Sequence, residues 1–183
     1  VEQGGGAPGV GLPRAEGALL AARDLRPLDA QTWAALGELY GKWANGWDPA
    51  RLAQANAAYE QALTLAPNSA MLQTAWGMVA LEGERFPAAA AHFQRAVELD
   101  ATDGHAWAHL GEAELAQGRA AEALPAFREA VHWEPELSAA HAGLAWSLWL
   151  QGQRPAAEAA LARALALDAT NPSALALNRE LSP

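Results

Sequence analysis

The sequence predicts an all-α solenoid of antiparallel helix pairs, and two observations carry that reading. Alanine and leucine dominate the 183 residues, β-branched residues are scarce, and Pro and Gly recur at intervals. That mixture favours helices broken by regular turns. The second observation is a period. Phe93 and Phe127 stand 34 residues apart, and the same step reaches back to Tyr59 and on to Leu161. An alanine lies four residues before each (Ala55, Ala89, Ala123, Ala157) and another three after (Ala62, Ala96, Ala130, Ala164). Gly77, Gly111 and Ala145 run in the same register, so four copies share one repeat.

Within a unit the spacing predicts two helices. Trp107, Leu110 and Gly111 fall on one face of the first at i, i+3, i+4, and Ala123, Phe127 and Ala130 form the matching face of the second. A glycine inside a helix costs about 1 kcal/mol relative to alanine. It is retained where a neighbouring helix crosses too closely for a side chain, with the aromatic filling the space beside it. Two helices with such faces cannot bury them alone, so the units must stack.

Trp33, Leu36, Gly37 and Tyr40, followed by Ala55, Tyr59 and Pro67, resemble the W-x2-L-G-x2-Y…A-x3-F…P signature of tetratricopeptide repeats. The third unit repeats it with Trp107, Leu110, Gly111, Ala123, Phe127 and Pro135. The second departs at Gln73 and Trp76, the fourth at His141 and Ala145. The resemblance implies a right-handed superhelix of about four repeats: 30–69, 70–103, 104–137 and 138–171. The first carries six extra residues around Gly41–Gln54, where Asn45-Gly46 signals a turn and Asp48-Pro49 a helix start. Both helices of that unit are expected to be lengthened, with Trp43 and Trp47 near the elbow. Ala15, Leu19, Ala22 and Pro27 fit the second-helix pattern, so 14–29 reads as an N-terminal capping half-repeat. After Asn171-Pro172, residues 172–183 read as a C-terminal capping helix through Leu175, Leu177 and Leu181. The glycine-rich Val1–Pro13 reads as a flexible linker, and a chain opening on Val1 as a segment of a longer protein.

Composition narrows the possible partners. The net charge is −9 and Lys42 is the only lysine. An acidic surface without a basic stripe repels phosphate backbones and anionic headgroups, which argues against nucleic acid and membrane-surface binding. No apolar run approaches the roughly 20 residues of a membrane span, so direct membrane insertion is not expected. The chain has no cysteine, which removes disulfides and thiolate metal sites and leaves the cellular compartment undetermined.

In this family the first helices line the concave face. The resemblance therefore implies a partner-binding groove with Gln31 and Glu38 from the first unit, Met71, Thr74, Met78 and Leu81 from the second, His105, His109, Glu112 and Leu115 from the third, and Trp146 and Trp149 from the fourth. Met78, Leu81, Leu115, Trp146 and Trp149 would form an apolar strip of the kind that marks an interface. The competing reading is that a capping helix, the N-terminal segment or a dimer mate fills the groove. The lysines and asparagines with which many relatives clamp a peptide C-terminus are replaced by Ala34, Glu38, Ala75, His105 and His109, so that mode is not expected.

Chemistry is hard to place. His105, His109 and Glu112 share a helix face at metal-ligand spacing, but Ala106 stands where a metalloprotease pattern needs glutamate, so they are weak metal candidates. No catalytic residues and no cofactor are expected, since neither a Ser/His/Asp arrangement nor a phosphate-cradling glycine loop occurs. Trp33, Trp76 and Trp107 are explained by packing, while the remaining tryptophans leave glycan contact open beside peptide contact. A narrower resemblance runs over 27–77: Pro27-Leu28-Asp29, Lys42-Trp43-Ala44 and Ala66-Pro67-Asn68 look like the repeat tail of bacterial O-antigen ligase or polymerase-like membrane proteins. The expectation is thus a non-catalytic scaffold holding a protein or peptide, including a domain of its own parent. The alternative is a membrane-tethered accessory domain of a polysaccharide-assembly enzyme.

Overall fold

The computed structural model describes residues 8–44 and 48–181. These residues form ten helices and no strand, in two compact units, Val1–Glu84 and Arg85–Pro183.

The first unit holds α1 (Pro8–Leu25), α2 (Ala30–Ala44), α3 (Pro49–Leu65) and α4 (Ala70–Glu82). Leu36, Tyr40, Ala55 and Ala58 are buried between α2 and α3, with Leu19 and Leu20 of α1 and Trp33 packed against them. Asp48 caps α3 by accepting from the backbone N–H groups of Ala50 (2.9 Å) and Arg51 (3.3 Å), and Pro49 occupies the first turn. The extra residues go into the helices: α2 has 15 and α3 17, where α4 has 13. Arg51 organises this extension. Its guanidinium stands 3.7 Å from the Trp43 ring centroid, and it pairs with Glu16 of α1 at 3.3 Å. Trp47, the other tryptophan expected at the elbow, lies outside the described residues. The longer α2 also brings Gly41 against Val79 of α4, where a Cβ would meet Cγ1 at 2.2 Å.

α1 begins at Pro8, so a linker running through Pro13 is corrected to a helix that includes it; residues 1–7 lie outside the described residues. Glycine content argued for coil, but Pro8 supplies the fixed φ that suits a helix start. The helix is then held by half-buried Leu12, Ala15 and Leu19 and by the Glu16–Arg51 pair.

The second unit holds α5 (Phe86–Leu99), α6 (Gly104–Ala116), α7 (Ala120–Trp133), α8 (Ser138–Leu150), α9 (Arg154–Leu167) and α10 (Pro172–Leu181). Phe127 of α7 is its central wedge. A Cβ on Gly111 of α6 would lie 2.8 Å from the Phe127 ring, and one on Gly143 of α8 2.2 Å from it. The two glycines are therefore the seats of one aromatic. Gly118 and Gly152 close the tight turns after α6 and α8 with φ of +75°, a left-handed conformation that glycine adopts without penalty.

Two of the turns between repeats, those before α6 and α10, share one design. Asp100 accepts from the Thr102 N–H (3.0 Å) and hydroxyl (2.7 Å), and Asp168 does the same with Thr170 at 2.8 and 2.7 Å. These bonds, led by the threonine hydroxyl, hold both carboxyls below their ordinary pKa. Asp103 and Asn171 then cap α6 and α10. The Trp33 and Trp107 indoles each donate to the carbonyl six residues back, Pro27 and Ala101, at 2.9 Å. His141 takes that place in the fourth unit, its Nε2 3.0 Å from the Pro135 carbonyl, so the departure from tryptophan keeps the hydrogen bond.

Candidate functional site

Seven of the twelve expected groove residues line two hollows, one in each unit. In the second unit, one first helix (α6) faces the next (α8) across a hollow of about 160 Å³. His105, His109, Glu112 and Leu115 line it from α6, and Trp146 from α8, with Phe127 and Gly143 as its floor. The absence of a side chain at Gly143 leaves the ring edge of Phe127 open to the hollow. His109 lies over Phe93, ring centroids 5.3 Å apart, and its Nδ1 is 3.5 Å from a Glu112 carboxylate oxygen. Exposed His105 and Glu112 make a polar rim around an apolar base.

Trp146 stands differently from the sequence expectation of an open strip. Its indole N–H donates to the Ser173 carbonyl of α10 at 2.9 Å, and its ring meets Trp149 edge-on at 5.2 Å and 78°. Trp149 is not part of the lining; it packs against Leu124, Leu148 and Ala157. The C-terminal helix therefore supplies a wall and fixes the Trp146 ring. Asn171 anchors that helix by accepting from Ala174 N–H (2.9 Å) and donating to the Ser138 hydroxyl (3.0 Å), which donates to the Ala164 carbonyl (3.0 Å). No three His, Cys, Asp or Glu side chains come close enough to hold a metal ion among the described residues.

In the first unit, a hollow of about 250 Å³ lies between α2 and α4, lined by Glu38, Lys42, Tyr59, Ala75, Met78, Val79 and Glu82. Of the groove residues expected here it brings together Glu38 and Met78. Gln31 stays exposed at the start of α2, where its N–H donates to Asp29. Met71 is 62% exposed at the start of α4, and half-buried Leu81 is outside the lining. The Thr74 hydroxyl oxygen is buried without a hydrogen-bond partner. Lys42 donates to Glu38 at 2.6 Å, and this bond, with the charges of Glu38 and Glu82, raises its pKa.

Tyr59, Lys42 and Glu82 were not among the residues the sequence offered for the site. Tyr59 occupies the aromatic position of its repeat and is fully buried, stacked on Trp76 at 5.6 Å and seated on Gly37. Its counterparts, Phe93 and Phe127, carry no hydroxyl. The Tyr59 hydroxyl is buried with no hydrogen-bond partner, and burial followed by the charges of Glu38 and Glu82 pushes its pKa far up. An orphaned buried polar group of this kind costs about 1–3 kcal/mol. The one signal in the sequence was tyrosine where the next two repeats carry phenylalanine.

Comparison with known proteins agrees with this architecture. Profiles described as tetratricopeptide repeat match residues 47–104 and 74–142, together just over half of the chain, and a further one matches 114–181. Superkiller protein 3 of Schizosaccharomyces pombe (strain 972) is 38% identical over 63 residues, 34% of this chain; the chain spans 4% of that relative's length. Among solved structures, MamA superposes with a TM-score of 0.73 at 20% identity, over 86% of this chain and 88% of its own. MamA from Desulfovibrio magneticus RS-1 gives 0.72 at 18% identity, over 89% of each chain. YrrB, described as a TPR protein with an unusual peptide-binding site, gives 0.71 at 23% identity over 92% of this chain and 84% of its own. At these identities the structural likeness shows the fold. These relatives lend the narrower resemblance to O-antigen ligase-like proteins no support. On the profile match and the repeat geometry, the chain belongs to the tetratricopeptide repeat family.

Proposed function

We propose that the chain is a non-catalytic scaffold that grips an extended peptide segment of a partner protein on the first-helix faces of its repeats. The observation that carries this reading is the α6–α8 hollow, where an apolar base of Leu115, Phe127 and Trp146 sits inside a rim of His105, His109 and Glu112. A small apolar base with a few polar groups at its edge suits one anchoring side chain plus hydrogen bonds to peptide backbone. Trp146 is held in place before any partner arrives, which lowers the ordering cost of binding. The description of YrrB as a peptide-binding repeat protein points the same way for the fold. A glycan, or a role beside a membrane polysaccharide enzyme, has no observation in its favour.

The test is selection of binding peptides from a random displayed library, followed by competition with the Ala139→Arg variant. Ala139 is exposed at the mouth of the hollow, so an arginine there obstructs entry without touching the core. Selected peptides should bind the wild type and lose tenfold or more in affinity for the variant. Failure to enrich any peptide, or equal binding by the variant, would overturn the assignment.

A further inference from the structure

We propose that the hollow between α2 and α4 is a subsite for one basic side chain, lysine or arginine, of the bound segment. This rests on the peptide-scaffold reading and adds the chemistry of what is bound. Four observations converge on it.

The first is charge. Glu38 and Glu82 stand on the two walls, and Lys42, the one cation lining the hollow among the described residues, is hydrogen-bonded to Glu38. Two carboxylates and one ammonium leave a single negative charge, which one incoming cation neutralises. Glu82 has no ion-pair partner among the described residues, so a carboxylate is available. The second is Tyr59, which is fully buried, lines the same hollow and has a hydroxyl with no hydrogen-bond partner. Its pKa is raised by the charges of Glu38 and Glu82 after burial, which places the hydroxyl within the field of both. A phenolic oxygen there can accept from an incoming ammonium or guanidinium N–H, since Lys42 donates to Glu38 and no group bonds the Tyr59 hydroxyl.

The third observation is the wall. Ala75, Met78 and Val79 supply an apolar lining against which the methylene stem of lysine or arginine can lie while its head reaches the carboxylates. The fourth is size: about 250 Å³ leaves room for one long side chain. An acidic residue is repelled by Glu38 and Glu82, a short polar one leaves the apolar wall uncovered, and a purely aliphatic one leaves the hydroxyl buried and unpaired.

The experiment uses the full chain, isotopically labelled, and four capped pentapeptides, Ala-Ala-X-Ala-Ala, with X lysine, arginine, norleucine or glutamate. Norleucine keeps the lysine stem without the ammonium. Lysine and arginine peptides should shift the amides around Glu38, Tyr59 and Met78 and bind at least tenfold more tightly than norleucine. Glutamate should be weaker still. Tyr59→Phe should retain or raise the thermal midpoint, since it removes an unpartnered buried hydroxyl, yet lose most of the preference for lysine over norleucine. Glu82→Gln, an exposed change, should reduce the same preference. Equal binding of lysine and norleucine, no shift around Tyr59 with any pentapeptide, or an unchanged preference in Tyr59→Phe would each overturn the subsite. Shifts confined to the α6–α8 hollow would refute the subsite and leave the scaffold reading standing. Failure of the displayed library, with lysine selectivity intact here, would do the reverse.

Discussion

An alanine at Gly143 would carry its Cβ to 2.2 Å from both Cε1 and Cζ of Phe127. Contact becomes ordinary from 3.4 Å, so ring or helix would have to give by roughly 1.2 Å, the difference between those distances. The ring has little freedom, because Phe127 is 3% exposed and a Cβ on Gly111 would likewise stand only 2.8 Å from it. Overpacking a tight core costs about 1–3 kcal/mol, and the better helix propensity of alanine returns up to about 1 kcal/mol. With two ring atoms struck at once the steric cost sits in the upper part of that range, for a net loss of about 1–2 kcal/mol. Gly111→Ala, with its nearest ring atoms at 2.8 Å, should lose less. Urea unfolding followed by far-ultraviolet circular dichroism measures both, and Phe127→Leu in the Gly143→Ala background should recover part of the loss by vacating the ring. A Gly143→Ala midpoint at or above wild type would show that propensity outweighs packing at this seam and refute the wedge.

Two further outcomes follow from the capping and titration features. Asn171→Ala removes the cap of α10 and its bond to Ser138, and should cost about 1 kcal/mol; hydrogen exchange should rise in α10 and at the Trp146 indole N–H while α5 stays protected. His92 has its folded pKa held below the ordinary 6.5, by burial and then by the Arg85 guanidinium. The unfolded chain then takes up a proton that the folded chain resists, so this contribution is intact at neutral pH and is lost as pH falls below about 6.5. Thermal midpoints measured between pH 7.5 and 5.5 should drop less in His92→Gln than in wild type.

The repeat phase was legible because its markers are large or small in a fixed order: an aromatic ring and two alanines cannot exchange places without clash or cavity. The caps Asp48 and Asn171 were legible for a local reason, since each bonds within three residues of itself. What was not legible depends on partners distant in sequence. Trp146 read as part of an open strip, and the carbonyl that holds it belongs to Ser173, 27 residues on. Trp43 looked surplus to packing until Arg51 came to lie over it. The start of α1 was missed because glycine-rich composition outweighed docking that only tertiary structure supplies. For the hollows, the His105–His109–Glu112 face followed from helical spacing alone. The role of Tyr59 did not, because a hydroxyl without a partner is a property of its surroundings and not of the residue.

The aromatic of each repeat also meets what comes after it. Sixteen positions beyond Phe93 is His109, which stacks on its ring; sixteen beyond Phe127 is Gly143, the one residue small enough for that seat. The same interval from Tyr59 reaches Ala75, beside the Trp76 that covers the tyrosine. Each boundary thus has its own matched pair, although the aromatics recur at one interval. Shuffling whole units, which the common period invites, would bring an imidazole onto Phe127 where even a methyl group collides. It would also leave Phe93 facing a bare glycine. The order of the units is therefore written into their junctions, and a rearranged or extended array would need each aromatic moved together with the residue sixteen places downstream.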